Sequence, residues 1–342
     1  MIDLKDLTIT ELKAFFQEIG EKPFRAKQVF SWIYRGTKTF DEMTDLSKEM
    51  RNMLKHTAQL GNLEILRVQA SEEDGTRKYL LGLRDGNAIE SVFMKYKYGN
   101  SICVSSQAGC RMGCGFCASG MDGLKRNLTP GEIADQILTI RRDTGEKINR
   151  VVVMGTGEPF DNYDNVLTFL NNIHSKSGLD ISMRNITVST CGLVPQIEAF
   201  ARDMNQVNLA VSLHSADDAV REAMMPINKR YPVDQLLGAC KQYTAVTGRR
   251  VTFEYALVKG KNDSMQQIDL LRQKLKGVLC HVNLIPLNEV KESGFWGSNR
   301  KRAGEIAAYL QQRGIPATVR RELGSDIQAA CGQLRLAELR KV

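Results

Sequence analysis

Residues 103–117 read C-V-S-S-Q-A-G-C-R-M-G-C-G-F-C, and the rest of the chain is read outward from this stretch. Cys110, Cys114 and Cys117 stand in a C-x-x-x-C-x-x-C array. Thiolates this close, with Gly109, Gly113 and Gly115 between them, can wrap a short loop around one inorganic centre. Three ligands are one short of a closed zinc site. They are also one short of a fully ligated 4Fe–4S cluster, which leaves one iron open to an outside ligand. At this point both metals stand.

Around the cysteines the chain alternates strand, loop and helix. The strands are ICVSS (102–106), VVVM (151–154), ITVST (186–190), VNLAVSL (207–213), VTFEYAL (251–257) and HVNLI (281–285). A helix starts at Thr129-Pro130-Gly131-Glu132, an N-cap followed by proline and a capping glutamate. Others are expected near 163–174, 193–203, 233–246, 264–275 and 300–313. Apolar strands alternating with helices predict a parallel sheet covered by helices. Six units are too few for a closed eight-fold barrel, so the fold expected is α/β, a partial (β/α)6 barrel. A last strand, ATVRREL, leads into the tail.

The first 60 residues read as helical. Thr8 and Glu11 form a capping box, Val29, Phe30 and Ile33 share one helix face before Gly36, and Ser47 opens a third helix. Lys27, Arg35, Lys38, Arg51 and Lys55 face either solvent or a phosphate backbone. Residues 63–105 are strand-like, with a hairpin turn at Asp85-Gly86. Within this small antiparallel extension Glu90 sits among Ile89, Val92 and Phe93, either turned to solvent or buried for a purpose. The division expected is 1–60 helical, 61–100 hairpin connection and 101–342 barrel with a terminal cysteine loop.

The composition is that of a soluble globular chain, 342 residues with 42% hydrophobic and 25% charged side chains. No apolar run reaches bilayer length and no signal-peptide core is seen, so a cytoplasmic protein without a membrane partner is expected. Eight cysteines then argue for metal or redox chemistry over a disulfide framework. A net charge of +8 suits either a polyanionic partner or simple solubility.

In such barrels the strand ends carry the chemistry. The second is followed by Gly155-Thr156-Gly157-Glu158-Pro159, whose glycines admit close approach of a ligand and whose glutamate can accept from an ammonium. Ser189 and Thr190, then Ser212-Leu213-His214-Ser215, then Pro286-Leu287-Asn288 end three further strands. Cys331, in A-A-C-G-Q-L, and Cys103 are by local context inert thiols. Cys191, Cys240 and Cys280 read as structural, with no acid, base or metal partner in sequence.

The cysteine array resembles the signature of the radical S-adenosylmethionine (SAM) superfamily, in which SAM chelates the open iron. SICVSSQAGCRMGCGFCASG, MGTGEP, ITVSTCGLVP, VNLAVSLHS, MPINKRYP, TFEYAL, CHVNLIPLN and RRELGSDIQAACGQLR together resemble the RlmN-type RNA adenine methyltransferases. That resemblance implies a 4Fe–4S cluster on Cys110, Cys114 and Cys117. It implies SAM contacts from Gly157, Glu158, Ser189, Ser212, Leu213, His214 and Asn288, and catalytic roles for Glu90, Cys103 and Cys331. It further implies two uses of SAM. One methylates the thiolate of Cys331. The other, cleaved reductively, yields a radical that takes a hydrogen from methyl-Cys331. The resulting carbon adds to adenine C2. After proton loss, usually to Glu90, Cys103 attacks the sulfur of Cys331 and leaves a transient disulfide. In a neutral environment Cys103 would ionise near 8.5.

By the same resemblance the substrates are adenosine 2503 of 23S rRNA and adenosine 37 of tRNAs. An electron donor such as flavodoxin and a monomeric enzyme are expected. The alternatives are adenine C8 methylation, as in the antibiotic-resistance branch, and a non-catalytic zinc-dependent RNA-binding protein.

Overall fold

A computed structural model describes residues 1–286 and 294–327. Three helices, Ile9–Glu18, Arg25–Arg35 and Lys48–Thr57, open the chain. The first has the reciprocal cap that its sequence calls for. The Glu11 amide donates to Thr8 Oγ1 (3.2 Å) and the Thr8 amide to Glu11 Oε2 (2.8 Å), a device worth about 1 kcal/mol. The second buries Val29, Phe30 and Ile33 and ends at Gly36 in left-handed backbone, φ 101°. Ile2–Asp3 pairs with Ala58–Gln59, joining the start and end of this part.

These helices dock on the helix Pro130–Thr144, which is buried almost all round from Pro130 to Ile140. Lys5 Nζ meets Asp135 Oδ1 at 2.5 Å with both side chains buried. The Gly131 amide donates to Asp6 Oδ1 (3.0 Å), and a Cβ at Gly131 would come within 2.7 Å of Lys5 and Asp6. Arg141 and Arg142 donate to the carbonyls of Tyr34 and Gly36.

Among the described residues the main sheet has ten strands. From the C-terminal edge they are Ala317–Val319, Cys280–Pro286, Val251–Leu257, Asn208–Ser212, Ile186–Thr190, Ile148–Val153, Gly99–Val104, Ala88–Tyr96, Arg77–Gly82 and Glu64–Ala70. The first seven run parallel. All six strands expected from the sequence are present, and the last one, 317–319, adds a seventh parallel member. The remaining strands form an antiparallel meander that starts from Gly99–Val104. That strand is therefore parallel to one neighbour and antiparallel to the other, and the hairpin region continues the barrel sheet. The sheet is open, with Ala317–Val319 at one edge and Glu64–Ala70 at the other.

The parallel sheet covered by helices is present as expected, and along its strands burial alternates. Ile102, Val104, Val151, Val153, Ile186, Val188, Leu209, Val211, Val251, Phe253, Val282 and Leu284 belong to the core that packs under the helices. Their neighbours in sequence, Cys103, Val152, Thr187, Ser189, Thr252 and Asn283 among them, are only partly covered. One short helix, Asp218–Met224, was not expected. Asp217 caps it, its carboxylate accepting from the Val220 amide at 3.0 Å.

Candidate active site

Strand register places the expected residues. Paired residues share a face, so Glu90 and Val92 lie on the face of Cys103, which pairs with both Val92 and Val152. Val152 pairs with Thr187, and Ser189 two residues on pairs with Ala210. Ser212 pairs with Glu254, and Glu254 with Asn283. Glu90, Cys103, Ser189, Ser212, Glu254 and Asn283 therefore occupy one continuous face, opposite the helix-covered core.

Glu90 is buried, and so is its partner Lys78. The Lys78 Nζ to Glu90 Oε2 distance is 3.2 Å, across the diagonal of two antiparallel strands. The sequence offered burial for a purpose or exposure for Glu90, and burial with a cation is what the fold selects. Beside it, Ser91 Oγ donates to the Cys103 carbonyl (2.7 Å). Burial pushes the Cys103 thiol up to about 11, with Arg320 pulling the other way. The value near 8.5 expected for a neutral setting is thus replaced by a higher one. Cys103 itself keeps a partly open surface.

Arg320 marks how the chain returns. From the strand 317–319 at one edge, the segment runs to the turn between Ala70 and Arg77 near the other edge. There the Gly324 amide donates to Asp74 (2.9 Å), Ser325 Oγ to Glu73 (2.9 Å), and the Glu72 amide to Asp326 (3.0 Å). Residues 320–326 therefore link the strand Cys280–Pro286 to the 72–74 turn. Arg320 lies near enough to bias both Cys103 and Glu254. Cys331 and Asn288 lie outside the described residues.

The cysteine loop follows strand Gly99–Val104. Its stem is the antiparallel pair Gln107–Gly109 and Leu124–Asn127. Gly109 has φ 81°, and a Cβ there would strike the Gly123 carbonyl. The Cys110 amide donates to the Gly123 carbonyl (3.1 Å), the Cys117 amide to the Cys114 carbonyl (3.1 Å), and the Gly115 amide to the Met224 carbonyl (2.9 Å). The thiols of Cys110 and Cys114 are pushed up chiefly by burial, Cys110 to about 12; Glu158 and then Cys117 add to the rise at Cys110, and Cys117 and Cys110 to that at Cys114. That electrostatic contact among three thiols is what a metal reverses, because it binds them as thiolates. Among the described residues no His, Cys, Asp or Glu group is already drawn together as a finished ligand set. Cys110, Cys114 and Cys117 are the three thiols that the loop itself supplies, one fewer than a closed zinc site takes and the number that leaves one iron of a four-iron cluster open.

Gly155 and Gly157 were expected to admit a ligand, and the described residues that come up against them are Ser105 and Gln107, at the start of the cysteine loop. A Cβ on Gly155 would lie 2.6 Å from Ser105 Oγ, and one on Gly157 2.5 Å from Gln107 Cβ. The Thr156 amide donates to Ser105 Oγ (2.8 Å), and the Glu158 amide to Gln107 Oε1 (2.9 Å). Ser105 Oγ in turn donates to the Glu90 carbonyl at 2.6 Å. These contacts lock the loop bearing Glu158 to the cysteine loop.

Glu158 is buried, and burial raises its carboxyl. Its Oε1 accepts from the Phe160 amide (3.0 Å) and its Oε2 from the Cys191 amide (2.7 Å). A carboxylate in this position gains most from a cation arriving beside it. Cys191, read from sequence as merely structural, therefore touches an acid after all and packs with Met224, Cys114 and Phe116.

His214 is buried and has left-handed backbone, φ 56°. Its Nδ1 accepts from the Ala256 amide (2.9 Å), which places the ring proton on Nε2. Burial lowers its pKa to about 3, so the ring is a neutral donor. The Phe116 ring of the cysteine loop meets it edge-on at 4.9 Å. Leu213 is fully buried, and its amide donates to the Glu254 carbonyl (3.1 Å). A cavity of about 530 Å³ bounded by Tyr34, Arg35, Arg141 and Lys147 lies at the start of strand Ile148–Val153, the end remote from this site.

The chain matches known proteins over nearly its whole length. Residues 2–60 match the ribosomal RNA large subunit methyltransferase N-terminal domain, and residues 104–271 the radical SAM superfamily. A Desulforamulus reducens protein named "Probable dual-specificity RNA methyltransferase RlmN" is 52% identical over 98% of this chain and 96% of its own. One of the same name from Thermoanaerobacter sp. is 50% identical over 100% of both chains. The crystal structure of a radical SAM methyltransferase from Sphaerobacter thermophilus has a TM-score of 0.93 at 44% identity, over 97% of this chain and 99% of that one.

Proposed function

The chain belongs to the RlmN family of radical SAM RNA methyltransferases, with a 4Fe–4S cluster and SAM as cofactors, and on that premise we propose that it methylates adenine C2. The proposed substrates are an adenosine of the peptidyl-transferase centre in 23S rRNA and an anticodon-loop adenosine of tRNAs. Adenine C2 is an electron-poor carbon with no nucleophilic lone pair. When bound, the cluster supplies the electron that turns SAM into a hydrogen-abstracting oxidant.

The residues of this chain do the rest. Cys110, Cys114 and Cys117 hold the cluster. Glu158 receives the ammonium of SAM, and the neutral Nε2–H of His214 and the hydroxyls of Ser189 and Ser212 are its polar contacts, together with Gly157, Leu213 and Asn288. Cys331 carries the methyl group. Glu90 accepts the C2 proton, and Cys103 frees the product by attacking the sulfur of Cys331. The division of labour that goes with this is 1–60 for RNA contact, 61–100 as the hairpin that positions Glu90, and 101–342 for chemistry. An external electron donor of the flavodoxin kind and a monomer complete the proposal.

The observation that carries this reading is the segment 320–327. It brings Arg320 within electrostatic reach of Cys103 and ties residues 324–326 to the 72–74 turn, and the described chain ends there four residues before Cys331. The test is product analysis. Anaerobically loaded protein, SAM, a low-potential reductant and a 23S rRNA fragment should yield 2-methyladenosine after nuclease digestion. Recovery of 8-methyladenosine would overturn the C2 assignment. A colourless zinc protein that leaves the RNA unmodified would overturn the chemistry altogether.

A further inference from the structure

Arg221, on the short helix Asp218–Met224, is the largest fully buried side chain, with no exposed surface among the described residues. Burying a guanidinium without a matched anion costs several kcal/mol. Arg221 nevertheless makes no ion pair at salt-bridge distance among the described residues. Its donors go to neutral oxygens. Nε donates to the Leu213 carbonyl (3.0 Å), Nη2 to the Cys191 (2.7 Å) and Ser212 (3.2 Å) carbonyls, and Nη1 to Asn228 Oδ1 (3.0 Å). Asp218 acts on it through space and is linked to it by Asn228, whose amide donates to Asp218 Oδ1 at 2.8 Å.

The same guanidinium lies where the cysteine loop docks. The Gly115 amide bonds the Met224 carbonyl on the Arg221 helix (2.9 Å). Cys114, Phe116, Cys191, Val220 and Met224 pack as one group. The thiols that feel the Arg221 charge are those of Cys114, Cys191 and Cys240. A fixed cation with only partial compensation, enclosed against a ligand cysteine, is short of negative charge. Three thiolates around an iron–sulfur core supply it.

We propose that Arg221 is a positioning residue that serves as the fixed counter-charge of the cluster, while its carbonyl bonds hold the strand ends at Cys191, Ser212 and Leu213. The inference rests on the cluster being bound by Cys110, Cys114 and Cys117. In a low-dielectric setting a buried positive charge favours the more negative, reduced form. It therefore makes the electron easier to place on the cluster.

The test compares Arg221→Lys with Arg221→Gln in the full chain, loaded anaerobically with iron and sulfide. Both variants lose the guanidinium fork, and only the first keeps the charge. Iron and sulfide content, circular dichroism and an EPR-monitored reductive titration are read for each. Arg221→Gln should lower the affinity for the electron at least tenfold, about 59 mV more negative for a one-electron couple, or else fail to retain four irons. Arg221→Lys should stay within about threefold of the parent. The two variants behaving alike, whether in potential, in iron content or in failure to fold, overturns the proposal. A parent protein that binds no four-iron cluster would overturn the ligand assignment instead, and the two failures are told apart by the parent alone.

Discussion

The Lys78–Glu90 pair gives a quantitative handle on the centre of the site. Both side chains are at most 2% exposed, with 3.2 Å between Nζ and Oε2. Deleting one partner of a buried pair costs about 3–5 kcal/mol, because the other charge stays behind in low dielectric. Lys78→Met keeps the stem volume and removes the charge, so it should lose that amount. At ~2 °C per kcal/mol, the small-shift end expected for a large chain, the melting midpoint should fall by roughly 6–10 °C. Lys78→Met/Glu90→Leu removes both charges, and replacing a buried pair by apolar groups is near neutral. The double variant should therefore recover most of the loss. Urea unfolding of the metal-free protein, analysed as a double-mutant cycle, measures the coupling directly. The double variant should be stable yet form no methylated RNA, since the proposed proton acceptor is gone. A single-variant loss below about 1 kcal/mol, or a double variant no better than the single, would refute the reasoning.

Other expectations follow from the same geometry. Cys110→Ala, Cys114→Ala or Cys117→Ala should each abolish reductive SAM cleavage with dithionite; full cleavage in any of them removes that ligand from the set. Cys103→Ala should stall as a ribonuclease-sensitive protein–RNA adduct on a denaturing gel, whereas Cys331→Ala should form no adduct; normal turnover of Cys103→Ala excludes its role. Release from the parent should quicken about tenfold per pH unit from pH 7 to 10, because the Cys103 thiol is pushed up to about 11 and its thiolate fraction grows throughout that range; a plateau near pH 8.5 would contradict the burial effect. His214 has its pKa lowered to about 3 by burial, so the unfolded chain takes up that proton first as pH falls below about 6.5. Stability from this group is complete above that pH and should decline by about 1.4 kcal/mol per unit on acidification, a decline that His214→Gln should lessen in urea titrations.

The elements were legible because their local signals were strong. Helix Tyr163–His174 begins and ends where the periodicity placed it, and the Thr129–Pro130–Glu132 start is the observed cap. The helix Asp218–Met224 was missed because seven residues give barely two turns of periodicity, although Asp217 was there as a cap signal. Gly155 and Gly157 were legible as close approaches, but not their packing on Ser105, read only as the end of a strand, and on Gln107. Lys78 and Arg221 could not be singled out at all. Each is one cation among 47 lysines and arginines, and nothing local distinguishes a buried one. Their meaning comes from pairings across 12 residues of hairpin for Lys78, and across separate strand ends for Arg221.

Those two buried cations bear on how one face of a sheet can carry several unlike steps. Pairing register alone sets Glu90, Cys103, Ser189, Ser212 and Glu254 on the side away from the helices. Polar residues on a half-covered sheet face would ordinarily be wetted, and their charges screened. Here Glu90 and His214 are buried, and the segment 320–327 is tied to the 72–74 turn. Enclosure raises the thiols of Cys103, Cys110 and Cys114, and leaves His214 neutral. In the metal-free chain those groups are thus biased toward their uncharged forms, the Lys78 charge is matched by Glu90, and the donors of Arg221 go to neutral oxygens. A cluster held by thiolates brings the negative charge that Arg221 lacks, and the ammonium of SAM brings the positive charge that the buried Glu158 carboxyl lacks.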